Sequence, residues 1–137
     1  MQHDPLLITD TKSWFTKAAN DLRAAAHEFS AEPPLLGDIV FHCQQAAEKA
    51  MKGFLTWHDC PLRKTHSLEE IGNQCLGIDQ TLKPLVDRAV PLTDYAWKFC
   101  YPGEPEEPSL SESKDAFALA REVFEAILSR LPEEVRP

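Results

Sequence analysis

The sequence predicts an all-α protein, an antiparallel up-and-down bundle of four to five helices forming one domain over 1–137. Three observations carry this. Apolar residues recur at spacings of three and four through the long segments. No segment reads as a convincing strand. Prolines and glycines fall between the periodic segments and leave mostly short connections, as antiparallel helices need. The core is expected over about 12–131, with frayed ends and a frayed tail at Glu133–Pro137.

The first helix is expected from a cap at Thr9 or Asp10 to about Ser30, with Trp14, Phe15, Ala18, Leu22, Ala25 and Phe29 as its buried stripe. Glu32-Pro33-Pro34 breaks the chain. A second helix runs from near Leu36 to near Trp57, with Ile39, Val40, Cys43, Ala46, Ala47, Ala50, Phe54 and Leu55 as a wide apolar side. His58–Thr65 is a loop. Ser67 with Glu70 forms a capping box that starts a short helix at Leu68, and Gly77 stops it. Asp79 caps a fourth helix that Pro91 kinks or divides, with the pattern resuming through Tyr95 and Phe99. The prolines and glycine of Tyr101–Pro108 exclude regular structure and predict an exposed acidic loop. Ser109 or Ser111 caps a last helix, whose stripe runs from Ala116 to Leu131 before Pro132 ends it.

A chain of 137 residues suffices for one domain with a real core. It lacks the roughly 20 consecutive apolar residues of a membrane span, and Met1–Asp10 has no signal-peptide pattern. A cytoplasmic protein is the expectation. Cys43, Cys60, Cys75 and Cys100 are scattered without a Cys-x-x-Cys pair, so free thiols are expected rather than disulfides or a zinc site. The net charge of -8 argues against general nucleic-acid binding, DNA included. The excess is acidic everywhere except His42–His66, which is net positive through Lys49, Lys52, Arg63 and Lys64. An anionic ligand belongs on that island, unless these are simply solvated lysines.

The second helix carries two patterns. Ala46, Ala47 and Ala50 let another helix approach closely, either within the bundle or across a dimer or partner contact. Gln45, Lys49 and Lys52 fall at i, i+4 and i+7 and form one polar stripe.

The chain resembles the HEPN domain family. The resemblance rests on Trp14, Lys17-Ala18 and Asp21-Leu22 in the first helix, and on Gln44-Gln45-Ala46-Ala47-Glu48-Lys49-Ala50-Met51-Lys52 in the second. Lys64-Thr65-His66-Ser67-Leu68 and Tyr101-Pro102-Gly103 complete the order. It covers roughly residues 12 to 131. It implies a four- or five-helix bundle that commonly dimerises and associates with nucleotides or RNA. Many members are metal-independent ribonucleases, often toxins paired with a small nucleotidyltransferase-like antitoxin. Their hallmark is an Arg followed, after four to six residues, by a His. This sequence departs from it. Its last histidine is His66; three residues separate Arg23 from His27, and two separate Arg63 from His66. Cys100 stands where an Arg commonly precedes the Tyr-Pro-Gly turn.

The resemblance therefore implies a domain that binds a nucleotide or RNA, a nucleotidyltransferase-like partner, or both, without the standard ribonuclease site. It implies a homodimer and no cofactor or metal. The candidate ligand residues are Gln45, Lys49, Lys52, Lys64, His66 and Tyr101. Lysines suit phosphate as point charges, although Glu48 and Lys52 also form an ordinary i, i+4 pair. Lys64, Thr65 and His66 precede a helix N-terminus, where free N–H groups favour anions. His66 can instead hydrogen-bond to a neighbouring helix and fix the loop. Tyr101 offers a stacking face or anchors its loop, and Trp57, His58 and Trp97 are expected to pack near helix ends. Two alternatives remain: a ribonuclease with a non-standard site around His66, the weak catalytic candidate, together with Lys64 or Lys49; and a purely structural dimerisation module.

Overall fold

A computed structural model describes residues 3–103 and 107–137. Part of the expected 101–108 loop, Glu104–Glu106, lies outside the described residues. Among the described residues five α-helices form the bundle: α1 (Pro5–Glu28), α2 (Leu36–Trp57), α3 (Leu68–Ile78), α4 (Lys83–Ala89) and α5 (Leu110–Leu128). Short 3-10 helices cover Gln80–Leu82, Val90–Ala96 and Glu133–Val135, and no strand occurs among the described residues.

Helix α1 starts earlier than its apolar pattern suggests. Asp4 accepts a hydrogen bond from the Leu6 amide at 2.9 Å, and Pro5 occupies the first turn, where its missing N–H costs nothing. Helix α3 runs through Gly77 to Ile78. Only half of the expected capping box forms there: Ser67 caps the Glu70 amide, while its own amide donates to Thr65 Oγ1. Pro91 divides the fourth segment, which continues beyond α4 as a 3-10 helix. Ser109 caps α5 through the Glu112 amide at 3.0 Å. The tail is not frayed, because Val135 is fully buried and its 3-10 turn packs on α1.

Helix α2 is central. It pairs most extensively with α1 and also packs on α5, α3 and the Val90–Ala96 segment. Ala46, Ala47 and Ala50 are fully buried inside the bundle, so they serve the chain's own helix packing and offer no dimer or partner face. Gly53 continues this small-residue track, where a Cβ would sit 2.6 Å from the Phe15 ring. Phe15, Met51, Phe54, Leu55, Leu68, Ile71 and Leu128 fill the core around it. The end of α2 is a Schellman motif: Cys60 N–H donates to Leu55 O, Asp59 N–H donates to Thr56 O, and Asp59 takes the left-handed conformation at φ 54°. This turn launches the loop that carries Lys64 and His66.

Candidate functional site

The polar, half-buried side of α2 holds two hydrogen-bonded clusters. One is built on Glu48, which is only 3% exposed. Its Oε1 accepts from Gln44 Nε2 at 3.0 Å and meets His66 Nδ1 at 2.8 Å, while Oε2 accepts from Lys52 Nζ at 2.9 Å. Gln44 Nε2 also lies 3.3 Å from the His66 carbonyl oxygen, so α2 grips both the ring and the backbone of that residue. Burial opposes ionisation of Glu48. The hydrogen bonds from Lys52, Gln44 and His66, with the Lys52 charge, outweigh it and hold the carboxyl below its ordinary value. An ionised carboxylate only accepts, so Nδ1 of His66 carries the shared proton and Nε2 faces outward on a ring that is 68% exposed.

The second cluster ties α1 to α2. Asp21 accepts from Lys49 Nζ at 2.7 Å and pairs with His42 Nδ1 at 3.0 Å. The far nitrogen of His42 lies 3.7 Å from Glu28 Oε1, a buried atom without a hydrogen-bond partner. Burial, reinforced by Asp38, raises the Glu28 carboxyl against the pull of His42 and His27. In the first cluster, Lys52 Nζ also sits 5.8 Å from the centroid of Trp14 on α1.

These contacts revise the expected cationic ridge. Lys49 and Lys52 are each matched by a carboxylate, and Gln45 spends a donor on Gln44 Oε1 at 2.7 Å. Asp21 and Glu48 balance the lysines, leaving Arg63 and Lys64 as the exposed cations of the following loop. Lys64 does not border an open helix N-terminus. The Glu70 amide is capped by Ser67 and the Leu68 amide donates to Thr93 Oγ1 at 3.1 Å. His66 does fix its loop to α2, as the structural alternative requires, yet keeps most of its ring in solvent. Trp97 is 53% exposed and so does not pack as expected, and Tyr101 is 64% exposed.

The protein belongs to the HEPN domain family. That family's model matches residues 11–131, most of the chain. No curated protein and no solved structure matches it significantly. The bundle and the ordered motifs agree with this HEPN assignment. No helix among the described residues is long and apolar enough to cross a membrane, and none of their His, Cys, Asp and Glu side chains gather in threes suited to a metal. The four thiols are free; Cys43 and Cys75 are buried, which pushes each up to about 12.

Sequence reasoning passes over Asp21, Glu28 and His42 as site residues. A signal for the first two exists: with Trp14, Ala18 and Ala25 they occupy one helical stripe, and a carboxylate on such a stripe calls for a buried partner.

Proposed function

We propose that this HEPN domain binds a nucleotide or RNA at the α2 face, setting a phosphate group against His66 and Lys52, without the family's standard ribonuclease site. The observation that carries this is the buried carboxylate of Glu48, which holds a mostly exposed imidazole and an ammonium side by side at 2.8 and 2.9 Å. Both ligand groups keep donor capacity. Lys52 has three N–H groups and spends one on Glu48; protonated His66 has Nε2–H free. Lys64 and Arg63, exposed on the same loop, extend the contact to neighbouring phosphates. A homodimer, and pairing with a nucleotidyltransferase-like protein, belong to the same proposal as the assembly in which the domain works.

Fluorescence anisotropy with a labelled single-stranded RNA, ATP and GTP tests it. His66→Ala and Lys64→Ala should weaken binding severalfold, steeply at low salt. Wild-type protein that binds none of the ligands removes the nucleotide part of the proposal.

The Glu48–His66 geometry also favours a second reading, a metal-independent ribonuclease around His66. A carboxylate at Nδ1 orients the ring and leaves Nε2 to move a proton. Cleavage of total RNA that disappears in His66→Ala supports this reading, and full cleavage in that variant ends it.

A further inference from the structure

The Val90–Ala96 turn and the first half of α5 line a surface cavity of about 390 Å³ that the α2 site does not use. Its apolar lining comes from Leu92 and Ala116, both buried, and from the half-buried Leu119. Tyr95 adds a ring that is fixed twice. It stacks on Phe99 with centroids 6.0 Å apart, and its hydroxyl donates to Glu112 Oε1. The polar lining is acidic. Glu112 and Asp115 stand three residues apart on α5, on the face that also carries Ala116 and Leu119. Arg88 is the one basic residue of the lining, and its guanidinium is already matched by Glu122, whose two oxygens it meets at 2.9 Å each. The lining therefore leaves the charges of Glu112 and Asp115 uncompensated. The start of α5 offers little to an anion here, because Ser109 already caps the Glu112 amide at 3.0 Å and both carboxylates would repel it.

We propose that this cavity docks a basic segment of a partner protein, receiving an arginine side chain whose stem lies on Leu92 and Leu119 and whose guanidinium meets Glu112 and Asp115. The proposal is independent of the phosphate reading. The occupant follows from charge and shape. Two carboxylates beside an apolar hollow match a side chain that is apolar along its length and cationic at its tip. Tyr95 engages Oε1 of Glu112, which leaves Oε2 to accept. A guanidinium presents a planar fork of donors to carboxylates, a geometry that an ammonium lacks. Because Tyr95 is held in place before the partner arrives, the cavity wall has little ordering left to lose on binding. A second copy of the chain is the poorer occupant, since two proteins of net charge -8 repel.

The test is methyl NMR of Leu92 and Leu119 during titration with the peptide Gly-Ser-Leu-Arg-Arg-Leu-Ser-Gly. Two controls accompany it: the same peptide with neutral citrulline at both arginine positions, and butylguanidinium, which carries the headgroup without a peptide. The arginine peptide should move both sets of methyl resonances to saturation, and the citrulline peptide should move neither. Asp115→Asn should weaken the arginine peptide by about two- to fivefold, and Asp115→Lys should weaken it further. Asp115 is exposed, and circular dichroism confirms that both variants fold. Methyl resonances that stay fixed, equal binding of the citrulline peptide, or unchanged affinity in both Asp115 variants overturns the proposal. Butylguanidinium that binds as tightly as the peptide overturns partner docking in favour of a free small cation. If Asp115→Lys changes the sedimentation of the protein alone, the cavity is a contact between copies and the proposal falls. None of these measurements involves RNA, so the phosphate reading stands or falls separately.

Discussion

Glu48 and His66 lie 18 residues apart in the sequence and meet at 2.8 Å between Oε1 and Nδ1. One partner is buried in the middle of α2 and the other stands mostly in solvent. Their contact fixes the loop before α3 and determines which nitrogen His66 presents. The same carboxylate holds Lys52, so a single buried charge organises the candidate site.

Removing that charge should cost far more than removing its exposed partner. Glu48→Ala strands the largely buried Lys52 ammonium and leaves the fully buried Gln44 Nε2 only its contact with the His66 carbonyl, an expected loss of about 3 kcal/mol. His66→Ala should cost about 1 kcal/mol or less. Urea unfolding with an unchanged m-value measures both. Equal, small effects would show that the network contributes little.

Acid should act through Glu48 and Glu28 with opposite signs. The Glu48 carboxyl is lowered from 4.5 on folding, so its contribution is complete above that pH and is lost as the pH falls through the lowered value. Glu28 is raised from 4.5, so its favourable contribution exists below that pH and disappears as the pH rises through the raised value. Glu28→Gln should therefore raise the melting temperature at pH 7 and leave it nearly unchanged at pH 3. Glu48→Gln should flatten the acid-side fall in stability. Thermal denaturation at the two pH values separates these outcomes.

Two glycines on helices should respond oppositely to alanine. At Gly53 the new Cβ meets the buried Phe15 ring at 2.6 Å, and overpacking should outweigh the helix-propensity gain, for a net loss of about 1–2 kcal/mol. At Gly77 nothing lies within 4 Å, and alanine should stabilise by up to about 1 kcal/mol. Chemical denaturation of both variants reads the contrast.

The thiols should divide by burial. Cys100 is exposed and should alkylate in the native protein. Cys43 and Cys75, buried and pushed up to about 12, should remain unlabelled until the chain unfolds. Mass spectrometry of iodoacetamide-treated protein distinguishes the two groups, and early labelling at Cys43 would contradict its burial.

Much of this architecture is legible from local chemistry. The three- and four-residue apolar spacing marks α1, α2 and α5, and Glu48–Lys52 is visible as an i, i+4 pair. The α1 start is legible too, once Asp4-Pro5 is taken as a cap followed by a first-turn proline. The Val90–Ala96 3-10 turn and the docked Val135 are less so, because tertiary packing decides both. The site is harder still. Asp21–Lys49 and Glu48–His66 join residues 28 and 18 positions apart, and no local spacing announces either pair. The lysines look free in the sequence because the carboxylates that neutralise them arrive from another helix or point inward.

The most direct measurement of the central claim is imidazole NMR of the five histidines during titration with a short single-stranded RNA. If a phosphate settles between His66 and Lys52, the His66 ring resonances move first and saturate with the binding isotherm, and His42, engaged by Asp21, moves less. RNA that binds while the His66 resonances stay fixed would contradict the account.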